Sequence, residues 1–488
     1  MKKTLLTIAL AFTGFCANSQ VIFSVEEPAS IAGGYELTYA DINSWGVPDM
    51  LITANAVLDT VALAYDLSLS ADSLMCDPAA VGSLTGKIAM LYRGSVNSST
   101  PCEFGAKALN AQNAGAIAVI IVNNIAGSPI AMGAGAQGLN VTIPVVMVSD
   151  VTGALIKEKL LNGENVIAFI GNKENYYVND LGTANEYIRV AENQAIPAVL
   201  AANSTEFPVN LGLYVFNYGS AFQTGATVTA DITYNGTSIY NQTSNSFDFV
   251  SGTATQDSVW VDFPAFSSSA FSAGEYAVTY TLTPTVTDDY PADNVITTKF
   301  ILTDQMISLA RLDANGLPTI DQGSKPSTQT GSFTTCIHFR NANASRVGAQ
   351  GVYFGVLKNA ADGDVIGEEI LVQGYKWNDV FVDLNDAALG FAALEEKGSG
   401  SYVFDADLQD TILYQPFTTP FLLEDNARYL FCATTSSLTI FMAYDTQTKY
   451  AQNQTLDPQP VGPIADAGTF SIGFTGDPVP AIGVKSYL

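Results

Sequence analysis

The sequence predicts a multidomain fold, an α/β domain followed by two all-β sandwiches, the second of them jelly-roll-like. Three observations carry that prediction. A chain of 488 residues has room for about three domains at about 150 residues each. Its first third mixes bare apolar strands with helical spacing, and beyond about residue 174 the pattern switches to short alternating strands broken by Gly, Asn, Pro and Asp. With 48% hydrophobic and only 14% charged residues, the chain can bury large cores and does not read as disordered.

Residues 1–19 read as an export leader. Lys2 and Lys3 start it, an apolar run from Leu5 to Phe15 follows, and Ala17 and Ser19 supply small residues for cleavage before Gln20. The residue before Cys16 is Phe15 where a lipobox needs a small one, so an ordinary signal is favoured over a lipid anchor. No later segment reaches the roughly 18 consecutive apolar residues of a spanning helix. The expected location is secreted or at the outer cell surface. Loss of a leader with two lysines and no acid takes the formal charge from −27 to −29. Such a surface repels phosphate backbones and anionic lipid, which argues against nucleic-acid binding.

The first domain is expected over residues 20–172. "GKIAMLYRG" (86–94) is a strand between glycines. Glu103 to Gly115 is a helix whose Phe104, Ala108, Ala111 and Gly115 form one mostly small face, able to lie close against a sheet. "AIAVIIVNN" and "VTIPVVMVS" are buried strands, and "NVIAFIG" closes the segment. Between the last two, Ser149 or Asp150 caps a helix that Gly163 stops after Leu161. The second domain, 174–304, is an all-β sandwich with a hairpin turn at Asn235 and Gly236. The third, 305–488, contains strands such as "CIHFRNA", "GVYFGVLKN" and "ARYLFCATT". It ends in "IGVKSYL" with neither turn nor polar tail, which reads as a chain cut short.

Once Cys16 leaves with the leader, four cysteines remain. Cys76 with Cys102 and Cys336 with Cys432 fall one pair to a domain, and an even number in an exported chain reads as two disulfides. Zinc would need four ligands, and neither C-x-x-C spacing nor a histidine cluster is present.

Four features suggest chemistry. Gly133, Gly135 and Gly138 spell G-x-G-x-x-G, but they lead into a strand instead of opening a helix, so a chance match outweighs a dinucleotide site. The mature chain's one histidine, His338, has no nucleophile motif beside it and reads as structural. Asp288, Asp289 and Asp293 in "TDDYPADN" are calcium candidates, as are Asp362 with Asp364 and Asp405 with Asp407 and Asp410, although turn-forming aspartate is the commoner reading. Trp377, near Tyr375, suits either sugar stacking or core filling, and core filling is favoured. No catalytic residue is singled out, and calcium is the one cofactor the residues suggest.

The first domain resembles the protease-associated (PA) domain. The likeness rests on Arg93 and Gly94 ending a strand, on Cys102, Phe104 and Lys107 in the helix, on the turn Ala114, Gly115 and Ala116, and on Ile143 and Pro144 before a capped helix. The stretch "SVNSST" between Gly94 and Cys102 is longer than is usual in that family. The resemblance implies a non-enzymatic lid or docking module that binds peptides or regulates substrate access in secreted peptidases and sorting receptors. The second domain resembles, more weakly, immunoglobulin-like repeats of bacterial surface proteins through "GEYAVTYTLTPTVTDDYPADN". The order of leader, PA domain and sandwiches resembles type IX secretion cargo, although the small terminal sorting domain usual there is not recognised.

The leading expectation is a secreted or cell-surface, non-catalytic binding protein. Its PA domain would dock a peptide, a protein or a glycan, and its sandwiches would serve as spacers or adhesive surfaces. The alternatives are an accessory fragment of a secreted peptidase and a structural subunit of a surface fibre.

Overall fold

The computed structural model describes residues 21–67, 73–94, 102–124, 129–249, 257–269, 271–326, 329–358, 362–378, 393–456, 469–472 and 479–487. The expected leader and the "SVNSST" stretch lie outside the described residues. Contacts divide the described chain into two compact units, the first comprising 21–178 with 218–220 and the second 179–217, 221–249 and the described residues from 257 onward.

The first unit is built from β1 (Val21–Glu27), β2 (Gly33–Tyr35), β3 (Leu37–Tyr39), β4 (Val57–Leu63), β5 (Ile88–Tyr92), α1 (Phe104–Asn113), β6 (Ala118–Val122), β7 (Val145–Val148), α2 (Asp150–Leu161) and β8 (Ile167–Asn172). The strands form one sheet in the order β2-β1-β8-β4-β5-β6-β7-β3. Strands β4 to β7 are mutually parallel, and the flanking pairings are antiparallel. The bare apolar runs of β5, β6 and β7 are explained by burial on both faces. Ala89, Leu91, Val119, Ile121, Val145 and Met147 join the core that receives Ala108 and Ala111 of α1. Their neighbours Ile88, Met90, Ile120, Val122, Val146 and Val148 join the opposite core, which receives Ile156 of α2.

Local sequence sets the helix ends. The Ser149 hydroxyl accepts from the Thr152 N–H at 3.1 Å and so caps α2. After Leu161 the chain turns through Gly163 at φ +78°, a conformation that costs glycine little. The buried face of α1 differs from the sequence expectation. Ala108 and Ala111 are buried as expected, but so are Gly105 and Lys107, while Phe104 is half-buried. At Gly105 a Cβ would stand 2.1 Å from the Ala134 carbonyl oxygen and 2.5 Å from the Gly138 amide nitrogen, so a glycine is needed where helix and loop backbones touch.

The second unit is all β apart from short helical turns. Strands Gln223–Tyr234 and Thr237–Thr243 form a hairpin whose turn residues Asn235 (φ 50°) and Gly236 (φ 74°) are both left-handed, as the sequence predicts. A ten-stranded sheet sets Val295–Thr303, Ala195–Pro197, Met306–Ser308 and Gly483–Tyr487 side by side, so strands from both expected sandwich segments share one sheet. Within the expected cut-off end, Gly483–Tyr487 is an internal strand of this sheet, paired on both sides.

Both disulfides form as expected. Cys76 and Cys102 have Cα atoms 5.6 Å apart. Cys336 and Cys432 face each other across the antiparallel strands Phe333–Arg340 and Arg428–Thr435, with Cα atoms 4.1 Å apart.

Gly105→Ala is expected to destabilise the first unit by about 1–3 kcal/mol, because backbone on the facing loop must move to admit the methyl group. A lowered urea midpoint with an unchanged slope checks this. An unchanged midpoint would contradict the close approach.

Candidate functional site

The glycine fingerprint has a structural occupation. Gly138 abuts Ala134 and the Trp45 ring, where a Cβ would stand 2.5 Å from the Ala134 Cβ, and Gly135 takes φ +58°. The Ala136 N–H, in the middle of the motif, donates to the Glu103 carboxylate at 2.7 Å. A phosphate would need free N–H groups at a helix start. Here a carboxylate of the chain itself takes the amide, and the loop leads through a short 3-10 turn (Gly138–Asn140) towards β7.

Helix α1 also carries a polar clasp that its alanine pattern does not reveal. Lys107 is fully buried, and its ammonium donates to the Leu74 carbonyl at 2.7 Å and contacts Cys76 Sγ at 3.6 Å. Asn110, one turn on, donates to the Met75 carbonyl at 2.9 Å. The segment Ser73–Cys76 is thereby fixed to the helix that Cys102 precedes. Burial pulls the Lys107 pKa from 10.5 down to about 8, with the negative charge of Asp66 opposing the shift.

The third feature lies at the carboxyl ends of the parallel strands, the edge where open α/β sheets bind ligands. There β5 runs into Arg93, β6 into Asn123 and β7 into the Ser149 cap of α2. The Arg93 N–H donates to the Val122 carbonyl at 2.8 Å, and its guanidinium donates to Asn123 Oδ1 at 3.1 Å. Among the described residues this half-buried guanidinium meets no carboxylate, and burial alone lowers its pKa. Lys157 of α2 adds a second cation to the same edge, 5.0 Å from the Tyr92 ring centre.

The remaining sequence candidates are scattered over the second unit. His338 is buried, and desolvation, aided by the positive charge of Arg428, pushes its pKa down to about 3, so the imidazole is neutral at physiological pH. Trp377 is 1% exposed and Tyr375 6%, so core filling explains both and neither offers a face to a sugar. Asp288 accepts from the N–H groups of Leu181 (3.0 Å) and Tyr290 (2.8 Å), and Asp289 from that of Asn179 (2.8 Å). Asp293 packs against Gly182, where a Cβ would stand 2.0 Å from its carboxylate. Among the described residues, no three His, Cys, Asp or Glu side chains are gathered as a metal site, the groups at Asp362 and Asp405 included.

A hub the sequence reading missed is Arg311. It binds Asp445 through Nε and Nη2, Asp321 through Nη2 at 2.7 Å and Gln447 through Nη1 at 2.9 Å. It lines a cleft of about 240 Å³ with Glu275, Lys299 and Gln447, but these partners hold its donors in place. No local pattern announces the hub, because its acids lie 10 and 134 residues away.

The family model of the PA domain matches residues 53–156, so the first unit contains a PA domain. Among solved structures, the chain is similar to a zinc aminopeptidase from Bacillus subtilis at 20% identity, over 31% of this chain and 29% of that one, with a TM-score of 0.22. An aminopeptidase from Aneurinibacillus sp. strain AM-1 aligns at 23% identity over 32% and 31%, also with a TM-score of 0.22. A domain of a putative cell surface protein from Methanosarcina acetivorans aligns at 17% identity over 26% and 94%, with a TM-score of 0.18. The chain spans less than a third of the length of those two aminopeptidases, and likenesses of this extent carry nothing about activity. Among curated proteins none matches.

Lys107 is expected to titrate near 8, well below the ordinary lysine value of 10.5, in a 13Cε NMR titration. Because its folded pKa lies below the unfolded one, the unfolded chain holds more protons between about pH 8 and 10.5. Its contribution to stability therefore rises with pH across that window. A Lys107 signal titrating near 10.5 would contradict the buried placement.

Proposed function

We propose that this chain is an exported, non-catalytic binding protein whose PA domain docks a peptide or protein partner, with the β unit as spacer or adhesive surface. The observation that carries this reading is Arg93. A half-buried guanidinium held by a neutral amide, in a chain of net charge −27, is a ready donor to a partner's carboxylate. It stands at the ligand-binding edge of an α/β sheet, with Lys157 on the neighbouring helix. Export is supported by two disulfides, which persist in oxidising compartments. The type IX route and the immunoglobulin-like likeness of the second domain stand within the same proposal.

The test is binding to a peptide array that includes acidic and carboxyl-terminal sequences, with each hit repeated on the Arg93→Gln variant. Loss of one charge-assisted contact is expected to weaken the best carboxylate-bearing hit by roughly tenfold or more, with Arg93→Lys retaining part of the affinity. Equal binding by wild type and Arg93→Gln would remove Arg93 from the site. Cleavage of the arrayed peptides by purified wild-type protein would overturn the non-catalytic reading in favour of a peptidase.

A further inference from the structure

The two disulfides stand in opposite environments. Cys336 and Cys432 are fully buried between core strands. Cys76 and Cys102 are only partly buried, and Cys76 Sγ lies 3.6 Å from the ammonium of Lys107. We propose that Cys76–Cys102 is a thiol–disulfide exchange site, open to an external dithiol in the folded protein, while Cys336–Cys432 is a structural bridge closed to it.

The chemistry follows from what the two sulfurs face. A thiolate leaves faster when its charge is stabilised, and a neighbouring ammonium does this directly. Cys102 lies two residues before the first residue of α1, at the end of the helix whose N–H groups favour negative charge. The acids around the bridge are Asp66, whose charge acts on Lys107, Asp77 beside Cys76 in sequence, and Glu103, whose carboxylate is engaged by the Ala136 N–H. Lys107 is the cation in contact with the sulfur.

In the first step a thiolate of the dithiol attacks Cys102 Sγ. A new S–S bond forms to Cys102, the Cys102–Cys76 bond breaks, and its electron pair leaves on Cys76 as a thiolate beside Lys107. The second thiolate of the dithiol then attacks the mixed disulfide and releases the Cys102 thiolate. The bridge is reduced by two electrons and the dithiol is oxidised to its own disulfide.

Opening the bridge does not require the segment to leave. The Lys107 contact to the Leu74 carbonyl and the Asn110 contact to the Met75 carbonyl hold it independently of the sulfurs. The Tyr92 N–H donates to the Ser73 carbonyl at 3.0 Å and adds a third tie that does not involve the sulfurs. Exchange at this site is therefore a local event within a folded domain.

The experiment treats native protein with dithiothreitol, quenches with iodoacetamide at successive times, and maps the alkylated cysteines by mass. The expected result is alkylation of Cys76 and Cys102 while Cys336 and Cys432 remain joined, with the far-UV and near-UV circular dichroism of the folded protein retained. Lys107→Met is expected to slow opening by about three- to tenfold, and Lys107→Arg to restore much of the rate. Opening of both bridges together, or only once the circular dichroism is lost, would overturn the proposal without recourse to any variant. A folded Lys107→Met protein that opens at the wild-type rate would overturn the role of the cation.

Discussion

Three parallel strands in the first unit have apolar side chains on both faces, and both faces must be kept from water. At roughly 1.5–3 kcal/mol for each fully buried aliphatic side chain, leaving either face open would cost more than a domain's net stability. Two helices on opposite sides meet this constraint. The small residues of α1 bring it close enough for Ala108 and Ala111 to touch the sheet core, and Gly153 lets α2 approach Val122, whose Cγ1 would lie 2.1 Å from an added Cβ. The close approach of α1 in turn needs a glycine at Gly105, and the loop it meets needs glycines of its own. The apparent nucleotide fingerprint follows from packing.

The same constraint fixes where polar groups can act. With the faces closed, side chains at the strand ends and helix termini remain available. The N-terminal end of α1 and its loop are tied inward by Glu103, Lys107, Asn110 and the Cys76–Cys102 bridge. The carboxyl ends of β5 to β7 carry Arg93, which has a desolvated charge and no carboxylate beside it among the described residues. In the second unit, Arg311 illustrates the other outcome. Its guanidinium is met by two carboxylates and an amide, so it joins segments far apart in sequence and spends four of its five N–H donors within the chain.

The periodic elements were legible in the sequence because their signals are local. A continuous apolar run means burial on two faces, Ser149 before a helical pattern means a cap, and Asn235–Gly236 between alternating runs means a left-handed hairpin turn. Trp377 and His338 were readable as core because nothing near them in sequence supplied chemistry. Lys107 was visible only as a family motif residue. Its ammonium is met by a carbonyl more than 30 residues away, and no helical pattern predicts a lysine facing inward. The internal strand Gly483–Tyr487 was likewise hidden, because its neighbours Met306–Ser308 and Gly348–Phe354 are well over a hundred residues earlier. Separation in sequence, more than weakness of the interaction, decided what could be read.

In the proposed function, the partner meets the first unit at the strand-end edge around Arg93 and not at the glycine loop. The most direct measurement is amide chemical-shift mapping of the intact protein, titrated with its best array peptide. Shifts concentrated at Arg93, Asn123 and the start of α2, with Gly133 to Gly138 unmoved, are the predicted result. Shifts concentrated in the glycine loop, or confined to the β unit, would contradict it.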